Sequence, residues 1–145
     1  MLRALSLTVI SAAVVFVSPA FGQSADLRPG QWTADMVMTV GETEFPNSHT
    51  SCMSAQEAAL SLPELGRAFA GGADCTADVT RSDAAQAAFT MTCTAESSME
   101  RADLVIRRIS DQALTLDGDV IIRSGQGQRV TARMQTAARY LGPCP

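Results

Sequence analysis

The chain has no lysine; all 11 of its basic side chains are arginine. That marks a GC-rich genome, and arginine also suits bidentate contacts with carboxylate or phosphate. Acid outweighs base, for a formal net charge of −4 at pH 7. A mildly acidic chain argues against non-specific nucleic-acid binding. There is one histidine, His49, and no CxxC. A zinc site at the usual ligand spacing is therefore excluded. No GxSxG or similar nucleophile signature occurs, so no hydrolytic triad is legible. Asp117-Gly118-Asp119 is a faint echo of a cation loop, but it lies mid-strand and the full calcium-ligand series is missing. Repeats and low-complexity tracts are absent, and no apolar run reaches the roughly 20 residues of a membrane span.

What is present begins with an export signal over residues 1–22. Met1-Leu2-Arg3 gives a short basic start, residues 4–17 are almost unbroken apolar, and Ser18-Pro19 breaks the run. Ala20-Phe21-Gly22 places small residues where a signal peptidase reads, which predicts cleavage before Gln23. No cysteine lies near the cut, so a lipid-anchored form is not expected. Removing 22 of 145 residues leaves 123, and losing Arg3 takes the formal charge from −4 to −5. Residues 23–145 then form one exported, β-rich domain with a modest core, periplasmic and without a membrane span. Four cysteines, Cys52, Cys75, Cys93 and Cys144, follow the signal. An even number in an exported chain predicts two disulfides.

Past Gly30 the residues alternate as half-buried strands do. Trp32, Ala34, Met36, Met38 and Val40 share one face; Gly41-Glu42 then fits a two-residue turn with glycine first. The return strand carries Pro46, which makes it an edge or a bulged strand. Ser54-Ala55-Gln56-Glu57 reads as a capping box opening one helix over about residues 55–69, which Pro63 splits. Alternation resumes at Cys75. With Asp83-Ala84-Ala85 as the turn, Val79 faces Phe89, Ala77 faces Met91, and Cys75 faces Cys93. Cys52 and Cys144 are left to pair. The turn has no glycine, which leaves a slip of two residues open; a slip of one would turn a cysteine outward. Three more alternating segments follow, with inward sets Ala102-Leu104-Ile106, Leu114-Leu116-Gly118-Val120-Ile122 and Val130-Ala132-Met134-Ala138-Tyr140. The expected fold is all-β with one short helix: a curled antiparallel meander of about seven strands, half-barrel or barrel-like, with the helix on its open side.

Leu27-Arg28-Pro29-Gly30-Gln31-Trp32, Ser51-Cys52-Met53-Ser54, Cys75, Met91-Thr92-Cys93 and Ala138-Arg139-Tyr140-Leu141-Gly142-Pro143-Cys144 together resemble the bacterial domain-of-unknown-function family numbered 3617. The resemblance covers nearly the whole exported chain. It implies small periplasmic proteins of this fold and brings no established activity. Family members often carry a Met/Pro-rich stretch between the first two strands. Here residues 41–47 are short and lack methionine, so no metal-binding role is carried over from it.

The remaining candidates are weighed on chemistry. His49 would share a face with Trp32 and Ala34; with no nucleophile signature it reads as structural or surface. Met36, Met38, Met53, Met91, Met99 and Met134 include soft ligands suited to Cu(I). Four of them, Met36, Met38, Met91 and Met134, fall on inner faces, where flexible core filler is the simpler reading. Arg101, Arg107, Arg123, Arg129, Arg133 and Arg139 project from the other face of the last three strands. They form a possible face for an anionic envelope component, unless Asp103, Asp117 and Asp119 neutralise it. No catalytic, metal or cofactor residue is assigned. The expected function is a non-catalytic periplasmic binding or envelope-associated module, holding an apolar small molecule or meeting an anionic partner, with no nucleic acid. The alternative is a periplasmic hydrolase-like enzyme using His49 and a carboxylate.

Overall fold

The computed structural model describes residues 24–145. The export signal and its cleavage point before Gln23 lie outside the described residues. Seven strands form one antiparallel sheet: β1 (Gly30–Val40), β2 (Thr43–Met53), β3 (Cys75–Ser82), β4 (Gln86–Cys93), β5 (Met99–Ser110), β6 (Ala113–Arg123) and β7 (Arg129–Gly142). Their spatial order is β2-β1-β7-β6-β5-β4-β3, so β2 and β3 are free edges and the sheet does not close into a barrel. The meander is broken once, where β7 returns to pair with β1.

Two helices, α1 (Ala55–Ala58) and α2 (Leu62–Gly72), stand where one helix of residues 55–69 is expected. The break falls before Pro63. Ser61 starts a second capping box, its hydroxyl facing the Glu64 amide while the Glu64 carboxylate accepts from the Ser61 amide at 2.7 Å. Proline then sits in the first turn of α2, where its missing donor is harmless. The α2 helix packs chiefly on β3, β4 and β5, with Gly66 against the Phe89 ring. Residues 24–29 run as a strap beside the helices, through bonds from the Ala25 amide to the Leu60 carbonyl and from the Leu27 amide to the Ala58 carbonyl.

The registers follow the side-chain pattern. Gly41, at φ +59°, makes the β1–β2 turn, and Ala34 pairs with His49. That ladder passes through Pro46 without a bulge. The donor-less nitrogen therefore faces the free edge, as an edge strand tolerates. Cys75 faces Cys93, Ala77 faces Met91 and Val79 faces Phe89. The turn beyond needs no glycine because the Asp83 carboxylate accepts from the amides of Ala85 and Gln86, and a bulge between Val79 and Arg81 takes up the extra residue. Both disulfides are formed, Cys75–Cys93 and Cys52–Cys144. The second crosses β1: Gln31 lies between Cys52 on one side and Gly142 on the other.

The core lies on one face of the sheet. Phe89, Met91, Leu104, Val120 and Met134 are its largest fully buried strand residues, with Leu62 from α2. Gly118 is required by close approach, since a Cβ there would collide with the Asp103 carbonyl and lie 2.9 Å from the Leu104 Cα.

Candidate functional site

Two surfaces of the sheet carry chemistry, and they are opposites. On the outer face, the six arginines singled out by sequence each meet an acid. Arg101 pairs with Asp103, Arg107 with Asp117, and Arg133 with Asp119, at 3.2, 3.2 and 3.3 Å. Arg139 reaches Asp35 on β1 at 3.0 Å, while Arg123 and Arg129 converge on Glu100 at 3.2 and 2.7 Å. The hydrogen bond from Arg129, then that from Arg123, holds the Glu100 carboxyl below its ordinary range. Arg101 and then Thr90 do the same for Asp103. The result is a laced, mixed-charge face. A shallow groove of about 400 Å³ on it runs over Asp35, Val37, Thr115, Asp117 and Gln135. Both carboxylates in it are already occupied by Arg139 and Arg107.

Asp35 and Glu100 were not among the sequence-level acids of this face. Asp35 alternates outward from Met36 on β1, but its pairing with Arg139 needed the β1–β7 contact, which joins the two ends of the chain. Glu100 sits at a bulge between Met99 and Arg101, where simple alternation fails.

The inner face is apolar and only half covered. Its longer helix, α2, lies over β3–β5, and its rim near the strap is closed by Trp32 and Tyr140, edge to face at 6.1 Å. The Trp32 indole donates to the Arg28 carbonyl at 2.8 Å, and the Arg28 guanidinium lies over the Tyr140 ring and pairs with Asp111. Towards β1 and β2 the cover ends. Ala34, Met36, Met38 and Val40 are only half-buried, and every β2 residue but Met53 is exposed. Phe45, opposite Met38, is 55% exposed, while Met134 on the other side of Met38 is buried. Met91 is buried in the core, whereas Met53 and Met99 are half-buried at its margin.

His49 lies on this inner face beside Ala34, as the β1–β2 turn requires. The acids of β1 and β2, Asp35 and Glu44, project from the opposite face by alternation. Asp117 and Asp119 lie within β6 and are ion-paired, with Gly118 between them turned to the core. Among the described residues, no three His, Cys, Asp or Glu side chains gather as a metal site would need, and no helix is long and apolar enough to cross a membrane.

One inner residue escaped the sequence reading. Arg108 continues the series Ala102-Leu104-Ile106 and pairs with Leu114 of the core. The period that sets Arg107 outside sets Arg108 inside. Among the described strands it is the one arginine or carboxylate projecting from the inner face. It is half-buried, and its Nε is sealed from water with no hydrogen-bond partner.

No curated protein and no solved structure matches the chain. A family model does, over residues 27–144, from the strap through all seven strands to the last cysteine. With the disulfide frame and the strap-to-terminus landmarks inside that span, the chain belongs to the family described as Protein of unknown function (DUF3617).

Proposed function

We propose that this chain is an exported, non-catalytic binding module that takes an apolar small molecule on the uncovered inner face of its half-barrel. The observation that carries the reading is the half-covered core face. Phe45, Met38 and Met36 extend the buried cluster of Met134 and Leu104 out into solvent. Contiguous apolar surface left in water is unfavourable, at about 25 cal/mol per Å². Methionine side chains adapt their shape to a bound molecule. Thr43, Asn47, His49 and Ser51 on the same face of β2 give the strip a polar border, as ligand sites have. That narrow, polar-edged strip suits a chain-like molecule better than a flat protein partner. The outer face has less to offer an anionic envelope component, because its arginines already carry acidic partners. The hydrolase alternative finds no carboxylate of β1 or β2 on the His49 face.

The test is native mass spectrometry of protein purified from its own periplasm. An N-terminus at Gln23 and a retained apolar adduct, lost from a Met36→Ser, Phe45→Ser variant, are the expected results. Protein that carries no adduct and binds no apolar probe in solution would remove the reading, and an N-terminus at Met1 in a membrane fraction would remove export.

A further inference from the structure

We infer that the ligand of the inner face is an amphipathic anion, a carboxylate- or phosphate-headed acyl chain, with Arg108 holding its head. The inference rests on the apolar-ligand reading and narrows it to a substrate class.

The first observation is a contrast between neighbours. Seven arginines of the described residues are ion-paired, Arg107 among them. Arg108, the next residue, is not. Its Nε makes no hydrogen bond and reaches no water. A guanidinium held beside a core without an acidic partner is costly, because its Nε has lost water and gained nothing. A carboxylate or phosphate meets the two terminal Nη groups, which are not sealed, and brings the charge the acidic partner that Arg107 has and Arg108 lacks.

The second observation is where Arg108 stands. Successive registers place it in one row across five strands: Arg108 with Leu114, Leu114 with Ala138, Ala138 with Ala34, and Ala34 with His49. The row runs from the covered half of the inner face to the open half. Its middle is floored by two alanines, both half-buried, where the side chains are short. The neighbouring row is Ile106, Leu116, Thr136 and Met36. Four strand spacings make the row about 19 Å long, measured along the sheet. An acyl chain whose head meets Arg108 has an apolar floor in Leu114, Ala138 and Ala34, and its tail ends beside Met36, short of His49. Charge at one end and apolar floor along the rest is the pattern of an amphipathic anion. A neutral oil would leave Arg108 unmatched, and a free anion would leave the floor wet.

The experiment is calorimetric titration of the exported domain with four probes: dodecanoate, dodecyl phosphate, dodecanol and inorganic phosphate. Arg108→Met keeps the stem and removes the charge, and Arg108→Lys keeps a point charge. Wild-type protein should bind one or both anionic amphiphiles about ten- to a hundredfold more tightly than dodecanol. Arg108→Met should erase that preference without weakening dodecanol, and Arg108→Lys should restore part of it. Which anion binds better distinguishes a fatty carboxylate from a phosphate head. Equal binding of dodecanol and dodecanoate by wild type would overturn this inference while leaving the apolar-ligand reading intact. Inorganic phosphate binding as tightly as dodecyl phosphate would overturn it in favour of a plain anion site. No binding of any amphiphile would remove both. The wild-type comparison decides the matter even if Arg108→Met fails to fold, which circular dichroism reports.

Discussion

The two disulfides differ in what they hold, and removing them separately measures it. Cys75–Cys93 closes 18 residues and Cys52–Cys144 closes 92. In the chain-entropy model the longer bridge is worth about 4.6 kcal/mol and the shorter about 3.2 kcal/mol, both as upper values. For a domain of this size a kcal/mol moves the melting temperature by about 3–5 °C. The paired Cys52→Ala, Cys144→Ala variant should therefore melt up to about 14–23 °C lower, and the Cys75→Ala, Cys93→Ala variant up to about 10–16 °C lower. The structure adds a local effect that loop length does not contain. Strand β2 buries almost nothing, pairs on one side only, and is held at one end by the Gly41 turn and at the other by Cys52. Without the long bridge it opens as a unit, ahead of the sheet. Hydrogen exchange should show the β2 amides losing most of their protection, while Phe89 and Leu104 amides slow or hasten only with global stability. The bridge also fixes the segment after β7, so amides near Tyr140 should loosen next. A larger melting loss from the short-bridge variant, or unchanged β2 protection without the long bridge, would refute the reasoning.

Three further outcomes are expected. Gly118→Ala drives a Cβ into the Asp103 carbonyl and the Leu104 Cα, so it should lose about 3 kcal/mol or more in urea unfolding; a loss under about 1 kcal/mol would mean that β5 and β6 separate easily there. Ser61→Ala removes a half-helix cap from a buried position and should lose about 1–2 kcal/mol by the same measurement, with Ser54→Ala, at an exposed cap of a four-residue helix, losing less. Glu57, Glu64, Asp83, Glu100 and Asp103 all have folded-state carboxyls below their ordinary values of 4.5 for glutamate and 3.8 for aspartate. Depressed folded values make this stability complete above the unfolded range and lost as pH falls through the folded one. The urea midpoint should be level above about pH 5.5 and fall below about pH 4.5, and a fall between pH 7 and pH 5.5 would contradict it.

Much of the architecture is legible because strand alternation and cysteine position constrain each other. A period of two fixes which residues share a face, and the need to keep Cys75 and Cys93 on one face fixes the register of β3 against β4. The same logic sets Ala34 against His49 through the Gly41 turn. The helix boundary was less legible because two capping boxes lie seven residues apart. Ser54 and Ser61 each have glutamate three places on, and only Pro63, at the second position of α2, shows that the second box begins a new helix. The order of strands was not legible at all beyond hairpins. Nothing local says that β7 pairs with β1, and this pairing is what brings Asp35 to Arg139 and carries Cys144 across β1 to Cys52.

Arg107 and Arg108 show why a list of like residues is a poor description of a site. Composition treats them alike, and a stripe of arginines takes in the first and passes over the second. Alternation separates them by the thickness of the sheet. Outside, Arg107 is half-exposed and meets Asp117, an exchange of water for carboxylate worth about 0–1 kcal/mol. Inside, Arg108 stands beside Leu114 with a sealed, unbonded Nε, and a buried unsatisfied donor costs about 1–3 kcal/mol. A side chain that only filled space there would be cheaper as leucine or methionine, both of which this core uses freely. The uncovered strip over Ala34 and Met36 carries a similar penalty on the same face. One amphipathic anion would pair the arginine's terminal Nη groups and cover the strip, since Arg108 and Ala34 lie in one row of the sheet and Met36 in the next.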